Sequence, residues 1–149
     1  MRVFVVNAGS TSVKLRMIED DDRVSAAVDL DATGTALPDE LDRFLTEFGP
    51  ADATGHRVVH GGPLTRPTVV DDGVRRVLDE VANLAPLHDP PALAAIDALR
   101  SLRPGVPAVA CFDTAFHTTI GPEAATYALP VAWTERWGLR RYGFHGLSC

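Results

Sequence analysis

Five short stretches of the chain carry side chains able to hold or neutralise charge. The first is NAGSTSVK, residues 7–14, small and polar between two apolar runs. Gly9 lets the backbone approach a phosphate, Ser10, Thr11 and Ser12 offer hydroxyls and amides, and Lys14 offers a point charge. The same residues would also make an ordinary hairpin turn, and the GxxxxGK spacing of a Walker loop is absent. The second is GHRVVHGG, residues 55–62, where Arg57 lies inside an apolar strand. An arginine so placed must reach a sheet edge, pair with a buried carboxylate or wait for an anionic ligand. His56 and His60, four apart on a strand, fall on one face, with no third ligand nearby to complete a metal site.

The third stretch is LAPLHDPP, residues 84–91, with His88 ahead of a proline turn. Its plainer reading is a helix start, with Asp89 as the cap before Pro90 and Pro91. The fourth is CFDTAFH, residues 111–117. Asp113 follows a buried strand there, a position suited to catalysis because the strand end holds it rigidly, and suited equally to capping a turn. The fifth is RRYGFHG, residues 140–146, which sets two cations, two aromatics and His145 among glycines. It could steady a developing negative charge or form an aromatic plug with a basic rim.

The elements that must position these groups follow from hydrophobic periodicity. Arg2 to Val6 is an apolar run, residues 7–12 form a turn, and Val13, Leu15 and Met17 alternate with Lys14 and Arg16, which predicts a hairpin. An acidic turn over Glu19 to Asp22 leads to a third strand, Val24 to Leu30. From Pro38, the spacing of Leu41, Phe44, Leu45 and Phe48 predicts an amphipathic helix closed by Gly49 and Pro50. A strand over His56 to His60 follows. A second helix capped by Asp71 or Asp72 carries Val74, Val77, Leu78 and Val81, and a third runs from about Pro91 to Leu102 with Leu93, Ile96 and Leu99 inward. Pro107 to Cys111 reads as a buried strand and Val131 to Gly138 as a short helix. The order implies an α/β fold, a mixed sheet with helices against it, in one domain over residues 1–149.

Composition narrows the function. With 46% hydrophobic residues the chain can bury a core, and a net charge of -6, from 20 acidic and 14 basic residues, offers no basic patch for nucleic acid or an anionic membrane. No apolar run approaches the roughly 20 residues of a membrane span, and no signal pattern follows Met1, so a cytoplasmic location is expected. Cys111 and Cys149 are too few and too far apart for a disulfide framework and are expected reduced. Thirteen of the 14 cations are arginine, which singles out Lys14.

Taken in order, MRVFVVNAGSTSVKLRMIE, GHRVVHGG, LAPLHDPPALAAI, FDTAFHTTI with the following YALP, and RRYGFHG resemble successive segments of acetate kinases across nearly the whole chain. The resemblance implies the fold of the acetate and sugar kinase, Hsc70 and actin superfamily. That fold has two domains with ribonuclease-H-like cores and a cleft between them, and this chain would be the N-terminal domain. It implies ATP-dependent phosphorylation of acetate to acetyl phosphate, with Mg2+ or Mn2+. By that resemblance Asn7 serves the metal–nucleotide end, and Lys14 contacts nucleotide phosphates beside Ser10 and Ser12. Arg57 binds the substrate carboxylate, and Val59, Leu87 and Phe144 line the pocket for its methyl group. Asp113 matches the active-site acid, and His88 and His145 stabilise charge around the transferred phosphoryl group.

The chain also departs from the family. Members are more than twice as long, and the remainder carries the adenosine pocket, a second catalytic arginine and an acidic metal ligand. The family's YGFHGTSH reads YGFHGLSC here, and Gly146-Leu147-Ser148 resembles a turn into a helix that is not supplied. A chain inactive alone is therefore expected, pairing with a separate C-terminal half or with itself. The alternatives are a non-catalytic domain with a half-formed anion site and a propionate or butyrate kinase.

Overall fold

The computed structural model describes residues 1–32 and 36–149. Period-two alternation builds its sheet: Phe4, Val6 and Ala8 of β1 (Val3–Ala8) and Val13, Leu15 and Met17 of β2 (Ser12–Ile18) point to one buried face. The two strands form an antiparallel hairpin in which Asn7 stands opposite Lys14, and β3 (Val24–Asp31) continues it. The hairpin turn is shorter than residues 7–12. Asn7 belongs to β1, Ser12 opens β2, and the Gly9 N–H donates to the Ser12 carbonyl at 2.9 Å. Extending the ladder to Asn7 satisfies backbone groups that a longer loop would leave to water.

On the other side of β1 lie β4 (Ala53–Val58) and then β6 (Ala108–Phe112), both parallel to it. β5 (Thr68–Val69) adds an antiparallel edge, giving the order β3-β2-β1-β4-β6-β5. This is the expected α/β mixed sheet. Two details differ from expectation: β4 begins three residues before His56 and ends at Val58, so His60 lies beyond the strand, and the two-residue β5 was not foreseen.

Helices α1 (Leu37–Phe48), α2 (Asp72–Val81) and α3 (Asp89–Leu102) pack on the face lined by Phe4, Val58 and Phe112. α1 buries Leu41, Phe44 and Leu45, with the Phe44 ring stacked 4.7 Å from Phe4, and ends at Gly49 with φ 92°. A positive φ there suits glycine. Asp71 caps α2, its Oδ1 accepting from the Val74 N–H at 2.7 Å. α3 is the central helix. Its stripe of Ala92, Leu93, Ala95, Ile96 and Leu99 touches both core clusters. Small α4 (Pro122–Ala125) and α5 (Val131–Trp137) follow a 3-10 segment over Asp113–Thr119. The C-terminal ends of parallel β1, β4 and β6 thus bring Asn7, Arg57 and Asp113 to one edge of the sheet, where open α/β sheets place their ligands.

Candidate functional site

Asp113 is the first residue past β6 and is fully buried, whereas the Arg57 side chain beside it, near the end of β4, keeps a quarter of its surface exposed. The Arg57 guanidinium donates to Asp113 Oδ2 through Nη2 at 2.6 Å and Nε at 3.1 Å. This lateral, two-point pairing uses one edge of the fork. The third nitrogen, Nη1, makes only a long 3.4 Å contact, with Asn7 Oδ1, among the described residues. Of the alternatives open at the level of sequence, the structure shows pairing with a buried carboxylate: Asp113 fixes the plane of the guanidinium through Nε and Nη2.

That cleft has a volume of about 350 Å³. Arg57, Asp113, His88 and His145 are its polar lining; Val59, Phe144 and the run 84–87 are its apolar lining. Val59 is buried, while Leu87 and Phe144 are exposed at the mouth. His145 adopts a left-handed backbone with φ 60° that non-glycine residues rarely take. It is held in place from two sides. The His117 Nε2 lies 2.9 Å from the Phe144 carbonyl, and the Leu147 N–H donates to Asp113 Oδ1 at 3.3 Å. Gly146 sits so closely over the Asp113 carbonyl that a Cβ there would be 2.1 Å from it, so the family-like glycine is a steric requirement. A cation and an apolar wall in one cleft fit a small carboxylate with a short aliphatic tail.

The nucleotide-side candidates lie apart from this cleft. Lys14 is exposed on β2, opposite Asn7 and beside Asp29 of β3, while Ser10 sits in the exposed turn and Ser12 at the start of β2. None of the three lines the cleft; Asn7 is the link, touching Arg57 on one side and pairing with Lys14 on the other. Among the described residues no group of three or more His, Cys, Asp or Glu side chains is arranged to hold a metal ion. One carboxylate and one amide oxygen at this edge fit a magnesium that keeps most of its waters and leans on substrate phosphates, the usual manner for that ion.

His56 and His60 have separate partners. His56 Nε2 lies 2.9 Å from Thr54 Oγ1 inside the core, and His60 Nδ1 accepts from the Gly62 N–H at 3.0 Å. Asp89 corrects the reading of residues 84–91. It does not cap α3, whose N-cap is His88 without a side-chain bond; its Oδ1 instead accepts from the Val59 and His60 N–H groups at 3.1 and 3.2 Å. Prolines in the first turn remove donors that a cap would satisfy, which frees the carboxylate to reach across. Thr114 was also missed; its Oγ1 accepts from the Gly61 N–H at 3.1 Å.

Two buried groups titrate in opposite senses. Burial pushes Asp89 up to about 6, with the Asp113 charge adding to the rise and the two N–H bonds and Arg57 opposing it. Burial pulls His56 down to about 4. For Asp89 the folded value lies above the ordinary one, so its stabilisation is present at low pH and is lost as pH rises through 6. For His56 the folded value lies below the ordinary one, so its stabilisation is present above about 6.5 and is lost as pH falls through 4. In the window from about 4 to 6 the two offset. Asp89→Asn should unmask the histidine: its urea midpoint is expected to fall between pH 6 and pH 4.5 by the equivalent of about 2 kcal/mol more than the parent's. A midpoint that tracks the parent's would refute the opposition.

The acetokinase family model matches residues 29–149. Over 99% of this chain the sequence is 37% identical to the acetate kinase of Methanosarcina acetivorans, of which it covers 45%. Among solved structures, Porphyromonas gingivalis acetate kinase superposes with a TM-score of 0.83 at 31% identity, over 99% of this chain and 46% of that one. A propionate kinase from Francisella tularensis gives 0.86 at 29%, with the same coverage. The chain spans somewhat less than half the length of these relatives.

Proposed function

Since the chain belongs to the acetokinase family, we propose that it forms the N-terminal, acid-binding domain of an acetate kinase. The enzyme would transfer the γ-phosphoryl group of ATP reversibly to acetate in the cytoplasm. The observation that carries this reading is the Arg57–Asp113 pair in a cleft that Val59 also lines.

In this reading Arg57 receives the acetate carboxylate on Nη1, and Val59, Leu87 and Phe144 take its methyl group. The acid is thereby held with one oxygen toward the incoming phosphorus. Carboxylate attack on a phosphate brings anions together, so the work is alignment and neutralisation of equatorial charge. His88 and His145, which line the same cleft as Arg57, supply that neutralisation at the transferred group. Asp113 has no strongly held proton to remove from a carboxylate; its task is to orient Arg57. Lys14, with Ser10 and Ser12, meets the nucleotide phosphates, and Asn7 with Asp113 would face the waters of Mg2+ or Mn2+. That metal, when bound, would supply positive charge that offsets the phosphates' own.

Catalysis is proposed to need a second domain, because an open half-cleft neither excludes water nor surrounds the phosphoryl group. Acetyl phosphate formation from ATP, acetate and magnesium, trapped as the hydroxamate, should be absent with the 149-residue chain alone. It should appear on mixing with a separately expressed acetate kinase C-terminal half. Turnover by the chain alone would remove the need for a second domain. A folded chain silent in both settings would favour a non-catalytic anion-binding domain. The likeness to a propionate kinase supports propionate as the second substrate. One methylene in an apolar pocket is worth only about 1–3 kcal/mol, so both acids should react.

A further inference from the structure

Asp89 is fully buried at the start of α3, yet it is not among the residues that line the cleft. Its Oδ1 bonds groups thirty and twenty-nine residues away in sequence, the N–H groups of Val59 and His60. Its Oδ2 is buried with no hydrogen-bond partner among the described residues. The segment it holds leaves β4 immediately after Arg57 and Val58 and carries Val59, a buried part of the cleft wall. The opposite side of that segment is held by Thr114, which receives the Gly61 N–H on Oγ1 and donates its own N–H to the Val59 carbonyl at 3.3 Å. Gly61 has no room for a side chain: a Cβ would lie 2.5 Å from the buried Phe112 ring. The loop is therefore clamped between α3 and the segment after β6, and Asp89 is the one ionisable member of the clamp.

We propose that Asp89 is a positioning residue for the acid-binding cleft, holding the Val59 wall against Arg57 through two main-chain N–H groups, with a grip that depends on its own protonation. The role in acid binding rests on the function proposed above; the clamp itself does not. Ionised, Asp89 accepts two charge-assisted bonds; protonated, it accepts them as a neutral acid and the bonds weaken. The charged and titratable groups around it are Asp113 beyond β6, Arg57 on β4, His60 within the loop and His88 beside it, whose Nδ1 is likewise buried without a partner. Burial holds the Asp89 carboxyl near 6, so the grip tightens across a range a cell can reach.

The test is an amide titration of the 15N-labelled 149-residue chain from pH 4 to 8, repeated on Asp89→Asn. The Val59 and His60 amides are expected to move together with one midpoint near 6, more than the Gly61 amide held by Thr114, and to lose that titration in Asp89→Asn. Persistence of the shared titration in Asp89→Asn would hand it to another group and overturn the proposal, as would its absence from the parent. Acetate, titrated at pH 7.5 and read at the Val59 methyl groups, supplies the second readout. Its dissociation constant is expected to rise about tenfold in Asp89→Ala and to stay within about threefold in Asp89→Asn, which keeps an acceptor oxygen. A folded Asp89→Ala chain that binds acetate like the parent would overturn the positioning role. If Asp89→Ala does not fold, Asp89→Asn and the amides decide. Failure of the parent to bind acetate would sink the acid-binding reading, while the amide titration would still decide whether Asp89 holds the loop.

Discussion

Replacing Arg57 with alanine is expected to lower acetyl phosphate formation by about a hundredfold or more, measured with the chain complemented by a C-terminal half. That is the usual scale for losing a preorganised charge at a reacting phosphoryl or oxyanion site. The geometry adds a sharper expectation for Arg57→Lys. Asp113 engages the Nε and Nη2 edge, while Nη1 keeps a long contact with Asn7 and is the nitrogen proposed to meet the acid. A lysine ammonium is a point charge on a flexible stem; it can face Asp113 or the substrate but cannot hold both in one plane. Arg57→Lys is therefore expected to lose most of the activity lost by alanine, with a large rise in KM for acetate and little change in that for ATP. Arg57→Lys turning over within a fewfold of the parent would mean that charge alone suffices and that the fork is not the acid's anchor.

The strands and long helices were legible because each buries one face, and burial writes a period into the sequence. Phe4, Val6 and Ala8 against Val13, Leu15 and Met17 state the hairpin directly, and Leu41, Phe44 and Leu45 state α1. Thr68–Val69 could not be read that way, since two residues contain no period; its place follows from β6, which needs a partner for its outer edge. The geometry that gathers Arg57, Asp113, His88 and His145 depends on parallel pairing of β4 with β6, a contact between residues more than fifty apart that local pattern does not encode. Asp89 shows the same limit from the other side. Beside two prolines it has the sequence of a helix cap, and only the arrival of the β4 exit loop against α3 gives its carboxylate a better pair of donors.

Asp113 should matter as much to the fold as to the site. It is fully buried, accepts from Arg57 and from the Leu147 N–H, and lies under Gly146, so it ties β4, β6 and the C-terminal segment together. Removing one member of such a pair leaves the other without compensation, which costs about 3–5 kcal/mol when the survivor is buried. The two survivors differ here. In Asp113→Ala the remaining guanidinium is a quarter exposed and can recruit water, whereas in Arg57→Ala the remaining carboxylate is enclosed. Urea unfolding should therefore place Arg57→Ala near the upper end of that range and Asp113→Ala near the lower. The double variant should be clearly more stable than the sum of the two losses, since neither charge then remains unpaired. Additive losses would mean the pair is not coupled in the fold. Asp113→Asn separates the two roles: the amide retains the volume and an acceptor for Arg57, so folding should largely survive. Near-normal turnover in that variant would show that Asp113 acts through its shape and its acceptor oxygen alone. A deep loss of turnover with KM for acetate raised would place its effect on Arg57, because a neutral partner no longer holds the guanidinium in the plane the carboxylate needs.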